Sequence, residues 1–365
     1  MTSSMLLGER YRNDKQVFRR LSSFQEEMIR SIEAKIEQGV YRFEKVPCDI
    51  CGSTDFISIS EKDRYGLYMP VGVCIGCGLV QTNPRMTQES YNQFYNYEYR
   101  KLYNASDRPT HEWIMNQRRS GEWIFKYIEE SRLLKGKKYS ELLVLEIGCG
   151  SGGILMYFKE KGFRTKGIDL GEEYLKFGAE NYGLDLETNT LENLRLETKA
   201  DIIIYSHVLE HILSPSRELQ TLKRFIHNDS LIYIEVPGVK IMMNSYKNDF
   251  ISYLQNAHVY HYTLTSLKNL FDKNGYQLIR GTEQIKSLFK PGNTANVRFI
   301  NDRNNVLRYL KRVEFVRKNI PFVPYEIKNK MLNLFLRSIK ALGIYTLVRS
   351  AYLAVRKKQG RPKFR

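Results

Sequence analysis

The stretch that decides the fold is Leu142-Leu-Val-Leu-Glu-Ile-Gly-Cys-Gly-Ser-Gly-Gly153. An apolar run leads into a GxGxG loop, and the loop leads into a segment with helical spacing. Glycines let the backbone pass close to a ligand, and the start of a helix offers free N–H groups and positive potential. Glu146, two residues before the first glycine, suits the ammonium group of an amino-acid-bearing ligand. The stretch therefore predicts a strand, a nucleotide-binding loop and a helix.

Apolar runs and helical segments alternate after this loop. The runs cover residues 142–147, 165–169, 184–188, 201–205 and 231–236, with helical segments at 153–161, 172–181 and 215–226. This alternation predicts βαβ units and an α/β fold with a Rossmann-like, doubly wound sheet. Two further strands are predicted at 276–281 and 295–300. The short connection Lys290-Pro-Gly-Asn293 favours an antiparallel pair at the edge of the sheet.

Asp169 closes the second predicted strand about twenty residues after the glycine loop, at the distance expected of a ribose-binding acid. A carboxylate at this position can accept hydrogen bonds from both ribose hydroxyls. Two alternatives share parts of the pattern. One is a tight turn in another α/β protein, and the other is a nicotinamide-dependent dehydrogenase, whose fingerprint also combines glycines with a later acid.

Taken together, residues 142–282 resemble the class I S-adenosylmethionine-dependent methyltransferases. In that family the glycine loop holds the methionine part of the cofactor, the acid after the second strand holds the ribose, and the next loop flanks the adenine. The resemblance implies S-adenosylmethionine as the cofactor. The cofactor-binding residues that we predict are Glu146, Gly148, Gly150, Gly152, Asp169, Leu170, Thr190, Leu191, Ser206 and Tyr99.

Four of the five cysteines form two CxxC pairs, each followed by glycine. They are Cys48, Cys51, Cys74 and Cys77. Two such pairs about 22 residues apart predict a tetrahedral zinc site. Four thiolates would complete the coordination of the ion, so we expect a structural Zn²⁺ and not a catalytic one. Cysteines without metal, whether reduced or disulfide-bonded, are the alternative.

The segment from Cys74 to Pro84, together with Phe94, Tyr95 and Tyr99, resembles a group of methyltransferases with a zinc module. Members of that group act in bacterial sugar and glycan biosynthesis, including C-methylation of nucleotide-linked sugars. The chain departs from the C-methyltransferase pattern in having His207 and Gln255 where those enzymes tend to have Asn and Tyr. A sugar oxygen, or a phosphate-type acceptor, is therefore at least as consistent with the sequence as a carbon acceptor.

The candidate catalytic residues are histidines, because imidazole titrates near neutral pH and can take a proton from the acceptor. His207 and His211 follow the predicted fourth strand, and His258 precedes the predicted sixth. The resemblance implies that His258 is the base, with packing or helix capping as the alternative. Tyr95, Tyr97 and Tyr99 are candidates to close over the cofactor or to bind sugar.

The positive charge is concentrated at one end of the chain. The formal net charge is +17, and residues 302–365 contain seventeen basic but only three acidic residues, which leaves about +3 for residues 1–301. We predict a helix over 326–358, whose apolar part has cationic flanks and suits an anionic membrane surface. Packing of this helix on the body of the protein, or a grip on nucleic acid, are the alternatives.

These features predict four parts: a helical segment (1–44), a zinc-binding module with a tyrosine-rich linker (45–104), a methyltransferase domain (105–301) and a basic helical tail (302–365). The polar stretch from Met1 to Arg20 resembles no signal peptide, so we expect a cytoplasmic protein, with the tail at the inner face of the membrane. The expected substrate is a sugar or glycan intermediate. An RNA methyltransferase and a non-catalytic membrane scaffold are the alternatives, and the near-neutral charge of residues 1–301 makes nucleic acid the weaker partner.

Overall fold

The computed structural model describes residues 6–104, 109–243, 245–292 and 298–320, together with Leu334 and Ser338. The chain divides into two units between Phe315 and Val316. The strands in the described residues are β1 (Phe43–Glu44), β2 (Phe56–Lys62), β3 (Tyr68–Cys74), β4 (Val80–Thr82), β5 (Arg85–Met86), β6 (Leu143–Ile147), β7 (Arg164–Asp169), β8 (Leu186–Thr188), β9 (Ala200–Ser206), β10 (Ile226–Glu235), β11 (Tyr260–His261), β12 (Tyr276–Gly281) and β13 (Lys286–Pro291). The α-helices are α1 (Ser23–Glu37), α2 (Gln88–Phe94), α3 (Arg100–Asn104), α4 (His111–Glu129), α5 (Gly153–Glu160), α6 (Glu172–Tyr182), α7 (Pro215–Leu222), α8 (Phe250–Tyr253), α9 (Leu264–Lys273) and α10 (Arg303–Asn319).

A seven-stranded sheet forms the centre of the molecule, in the order β12-β13-β10-β9-β6-β7-β8. The five strands from β10 to β8 are parallel, and β13 pairs antiparallel with both β10 and β12. The chain leaves β6 towards β7 on one side and returns to β9 on the other. Ligands of doubly wound sheets bind at such a switch point, beyond the carboxyl ends of the strands. The predicted Rossmann-like fold is confirmed.

Helices cover both faces of this sheet, which explains why its central strands are almost uniformly apolar. Successive residues of β6 point to opposite faces. Val144 belongs to a core cluster that includes residues of α4 and α5, and Leu145 belongs to a larger cluster that includes residues of α7 and α9. The strand is therefore buried along its whole length.

The antiparallel edge of the sheet differs from the prediction. The strand beside β12 is Lys286–Pro291, and residues 298–300 form no strand, while 295–297 lie outside the described residues. Phe289 pairs with Ile232 of β10 on one side and with Leu278 of β12 on the other. The sequence did not indicate this strand, because its apolar part is short and is flanked by Lys286 and Lys290. Its pairing with β10 on one side and β12 on the other shows that it lies inside the sheet.

A second sheet contains the cysteine segments and one strand from the distant half of the chain. Its order is β11-β4-β3-β2, with all neighbours antiparallel. Residues 254–259, which we call the His258 loop, connect α8 to β11. Strand β11 pairs with β4 through His261 and Val80. Main-chain hydrogen bonds therefore join the cysteine module to the strand that directly follows the His258 loop.

The ends of the first unit also differ in part from expectation. In the described part of this segment, residues 6–44, helix is not the main structure. Its one α-helix is Ser23–Glu37, which Ser22 and Gln25 begin with a capping box, and Phe43–Glu44 is a strand. The first turns of α10 place Val306 and Leu310 in one buried cluster with residues of β3 and β4.

The helix predicted over 326–358, its preceding prolines and its apolar stretch lie outside the described residues, apart from Leu334 and Ser338. Among the residues that were described, no helix has both the length and the apolar character needed to cross a bilayer.

Candidate active site

The glycine loop after β6 requires glycine at each of its three predicted positions. Gly148, Gly150 and Gly152 have φ values of 69°, 54° and 73°, in the left-handed region that other residues rarely adopt. A Cβ on Gly148 would lie 2.4 Å from a methyl group of Val208, in the loop after β9. The loop thus forms the predicted turn and packs against the loop that carries the histidines.

Asp169, at the end of β7, joins this loop to the turn that follows β7. Its Oδ2 accepts a hydrogen bond from Gly150 N (2.9 Å), and its Oδ1 accepts one from Gly171 N (2.7 Å). The guanidinium of Arg100 is 3.3 Å from Oδ1 and stacks 4.0 Å from the centre of the Tyr174 ring. The predicted ribose acceptor is therefore paired with a cation from α3, a contact that sequence reasoning missed.

Glu146 is 2% exposed and has one carboxylate oxygen without a hydrogen-bond partner among the described residues. Burial, together with the charge of Asp169, raises the pKa of Glu146 well above its usual value. A buried carboxylate that lacks a donor is costly, so this site favours a ligand that brings a positive charge or N–H groups. The ammonium group of an amino acid fits this requirement.

The remaining predicted cofactor residues lie after successive parallel strands. Leu170 is exposed beside Asp169, Thr190 is exposed after β8, and Ser206 is half-buried at the end of β9. Leu191 differs, because its side chain is buried in the hydrophobic core and only its main chain remains for a ligand. Tyr99 stacks on Tyr95, with the ring centres 4.3 Å apart.

The histidines converge on Glu210, a residue that sequence reasoning did not select. Its Oε1 lies 3.7 Å from His207 Nδ1, 3.7 Å from His211 Nε2 and 3.8 Å from His258 Nε2. These distances are too long for hydrogen bonds, and neither oxygen of Glu210 has another hydrogen-bond partner in the described part of the chain. Glu210 is 1% exposed, so the three imidazoles surround a buried carboxylate. Its position next to His211 in the sequence was the available signal.

The protonation states of the three imidazoles differ because their surroundings differ. Burial, helped by the neighbouring histidines and by Arg64, lowers the pKa of His258 well below its usual value. Burial also lowers the pKa of His211. For His207 the partial loss of solvent around its ring acts in the same direction, but the negative charge of Glu210 outweighs it, so the pKa of His207 is raised. His258 is therefore neutral at pH 7 and can accept a proton.

A row of tyrosines from α2 to α3 packs against His211. The rings of Tyr91, Tyr95, Tyr99 and Tyr103 follow one another at 4.8, 4.3 and 5.1 Å between centres. The Tyr95 hydroxyl contacts His211 Nδ1, which also lies 2.9 Å from the carbonyl oxygen of Ala257. Tyr97 does not face the site, because it is 61% exposed on the other side of the row.

The four predicted zinc ligands are gathered at the edge of the second sheet. Their sulfur atoms all lie within 4.8 Å of one another, with Cys48 and Cys77 3.5 Å apart and Cys51 and Cys74 3.4 Å apart. These separations are too long for disulfides, which need about 2.0 Å. They approach the spacing of about 3.8 Å between sulfurs bonded tetrahedrally to one zinc ion. The four thiols therefore fit a zinc ion.

Comparison with known proteins agrees with this geometry. Residues 117–280 match a sequence family described as a methyltransferase domain. The ubiquinone biosynthesis O-methyltransferase of Coxiella burnetii (strain RSA 331) is 26% identical over 173 residues, which cover 46% of this chain and 63% of that protein. An uncharacterized methyltransferase of Staphylococcus carnosus is 27% identical over 140 residues, which cover 34% of this chain and 65% of that protein.

Among solved structures, an S-adenosylmethionine-dependent methyltransferase from Clostridium acetobutylicum is 14% identical, with a TM-score of 0.38 and coverage of 56% of this chain and 99% of that one. By contrast, the chain spans just under two thirds of the length of the two curated relatives from Coxiella burnetii and Staphylococcus carnosus. The family match, the strand order and the glycine loop together identify a methyltransferase domain with the class I fold.

Proposed function

We propose that this protein transfers a methyl group from S-adenosylmethionine to a hydroxyl group of a sugar or glycan intermediate, nucleotide-activated or lipid-linked, in surface polysaccharide assembly. One observation carries the proposal. A neutral, buried imidazole, that of His258, lies next to the loop that packs on Gly148. A proton acceptor and a cofactor cradle thus share one edge of the sheet. The zinc-module resemblance supports the sugar as acceptor.

The cofactor would be held by residues that already face one another. S-adenosylmethionine, when bound, supplies an electrophilic methyl group on a positively charged sulfur. The backbone of the glycine loop and the carboxylate of Glu146 would hold the amino acid part, and Asp169 would accept the ribose hydroxyls. Arg100 has to leave Asp169 Oδ1 for this, since the guanidinium occupies that oxygen.

Deprotonation of the acceptor falls to His258. The ring of His258 would take the hydroxyl proton of an acceptor held beside it, which would make the acceptor oxygen nucleophilic towards the methyl group that the cofactor supplies. The carboxylate of Glu210, 3.8 Å from His258 Nε2, then stabilises the imidazolium that forms. Burial keeps the ring neutral before the reaction.

A second candidate acceptor is the hydroxyl group of a small phenol. The similarity to ubiquinone biosynthesis O-methyltransferases favours it, and the same base serves both acceptors. A phenol needs less help from a base than a sugar hydroxyl, because its pKa is about 10. Loss of the base should therefore slow methylation of a sugar more than methylation of a phenol.

The four clustered cysteines would hold one structural zinc ion per chain. Strand β11 lies in the same sheet as β3, which ends at Cys74, and begins two residues after His258. Zinc binding would then contribute to the folding free energy of the sheet that supports the base.

Calorimetric titration of the purified chain with S-adenosylhomocysteine, on a sample of known zinc content, tests the proposal first. We expect micromolar binding and about one zinc per chain. Transfer of an isotope-labelled methyl group should then be measured with a panel of nucleotide sugars and a panel of phenols. His258→Gln is the variant for comparison, and His111→Gln, at the exposed start of α4, is the matched control. A folded protein that fails to bind S-adenosylhomocysteine would contradict the proposal.

A further inference from the structure

The turn between β2 and β3 of the cysteine module reaches the His258 loop. Arg64 donates from its main-chain N to the carbonyl of Leu254 (3.1 Å), and from Nη2 to Oε1 of Gln255 (2.8 Å). The neighbouring Asp63 is completely buried and accepts a hydrogen bond from the main-chain N of Asn256 (3.0 Å). Two adjacent residues of the module thus hold three consecutive residues of the loop, 254–256.

The contact with Arg64 fixes the orientation of the Gln255 amide. A guanidinium can only donate hydrogen bonds, so the amide atom that faces Arg64 has to be the oxygen. The amide NH₂ then points to His258, where it lies 3.2 Å from Nδ1 and in closer contact with Nε2. Since NH₂ is a donor, the ring nitrogen closest to it has to carry a lone pair.

We propose that Arg64 is a positioning residue that acts through Gln255: it fixes the His258 ring in the tautomer with a lone pair on Nε2 and opposes its protonation. The inference deepens the proposed function, on which its catalytic meaning rests, because the base must be unprotonated before the acceptor arrives. The acceptor hydroxyl then replaces the amide as the donor to Nε2. Gln255, which stands where the related C-methyltransferases tend to have Tyr, has a defined role in this arrangement.

The charges around His258 act in both directions. Glu210, whose Oε1 is 3.8 Å from Nε2, favours the imidazolium. Burial disfavours it, and so do the neighbouring imidazoles when charged and the guanidinium of Arg64; the imidazoles belong to His207, His211 and His261. Arg64 itself is held between aromatic rings, 5.0 Å from the centre of Tyr65 and 5.5 Å from that of Tyr103. Its charge therefore remains close to the loop.

Nitrogen NMR of the full-length, zinc-loaded protein labelled with ¹⁵N-histidine tests this inference without any acceptor. The signals of His258 are those lost in His258→Gln. For the wild type at pH 7.5 we expect one nitrogen without hydrogen, Nε2, and one with hydrogen, Nδ1. In Arg64→Gln and in Gln255→Ala the two tautomers should exchange, so both signals move towards the average. In Arg64→Gln the pKa of His258 should also rise, because a nearby positive charge is removed.

Arg42→Gln is the matched control, since Arg42 lies just before β1 and forms an exposed ion pair with Glu89. It should leave the His258 signals unchanged. Zinc content and S-adenosylhomocysteine titration report the folding of each variant. If Arg64→Gln loses zinc or unfolds, Gln255→Ala provides the test instead. It removes the contacts of Gln255 with Arg64 and His258 by a change outside the module. Wild-type His258 signals in a folded Gln255→Ala protein would overturn the inference. A wild type that shows the fixed tautomer but binds no S-adenosylhomocysteine would contradict the proposed function instead.

Discussion

We predict that the buried ring of His261 makes the folded protein measurably less stable in acid. It lies in β11 with 0% of its surface exposed, and neither ring nitrogen has a hydrogen-bond partner among the described residues. Burial lowers the pKa of His261 to about 3. The unfolded chain binds the proton with a pKa of about 6.5, so the folded state binds fewer protons between these two values. The stabilisation is therefore fully present above about pH 6.5 and is lost as the pH falls towards 3.

The size of this effect follows from the difference between the two pKa values. At pH 5.5, one unit below the unfolded value, a single histidine held neutral lowers the free energy of unfolding by about 1.4 kcal/mol relative to neutral pH. His261→Phe keeps an aromatic ring in the same place and removes the titrating group. Between pH 7.5 and 5.5 the variant should therefore lose about 1.4 kcal/mol less stability than the wild type.

Urea unfolding followed by circular dichroism at both pH values, with zinc content measured throughout, provides the comparison. Acid also protonates the four thiolates, but that loss is common to both proteins and cancels in the difference. His111→Gln, in the exposed first turn of α4, controls for the removal of a histidine as such. Equal losses in the wild type and in His261→Phe would refute the conclusion that the ring of His261 is held dry and neutral.

Four further predictions concern the cofactor, the base and the metal. Asp169→Ala should abolish binding of S-adenosylhomocysteine in calorimetry, because it removes the acceptor of the ribose hydroxyls; wild-type affinity would contradict the assignment. Arg100→Ala should tighten the same binding several-fold, since Arg100 competes for Asp169 Oδ1, and weaker binding would show that Arg100 contacts the ligand instead. His258→Ala should retain cofactor binding but lose turnover by roughly 10²–10⁴, and undiminished turnover would remove His258 as the base. Cys77→Ser should reduce the zinc content and the thermal stability together, whereas unchanged zinc would show that the cysteines do not form one site.

The sequence alone determined the parts of the fold that depend on local pattern. The apolar run from Leu142 to Ile147 and the glycines after it predicted β6 and its loop, because period, glycine spacing and strand–helix alternation are local properties. The two CxxC pairs likewise predicted a cluster of four thiols, because each pair forms within a single turn.

Only the tertiary structure decided which distant segments meet. Strand β13 was missed because its place inside the sheet depends on pairing with Ile232 of β10, far away along the chain, as well as with nearby Leu278. Glu210 showed no special pattern, and its role appeared only when the loops after β9 and before β11 brought three imidazoles around it. The contact between Arg64 and Gln255 spans 191 residues, so no local rule could have predicted it. Local sequence selects strands, turns and ligand types, whereas burial and long-range contacts determine how each side chain is protonated and what it can do.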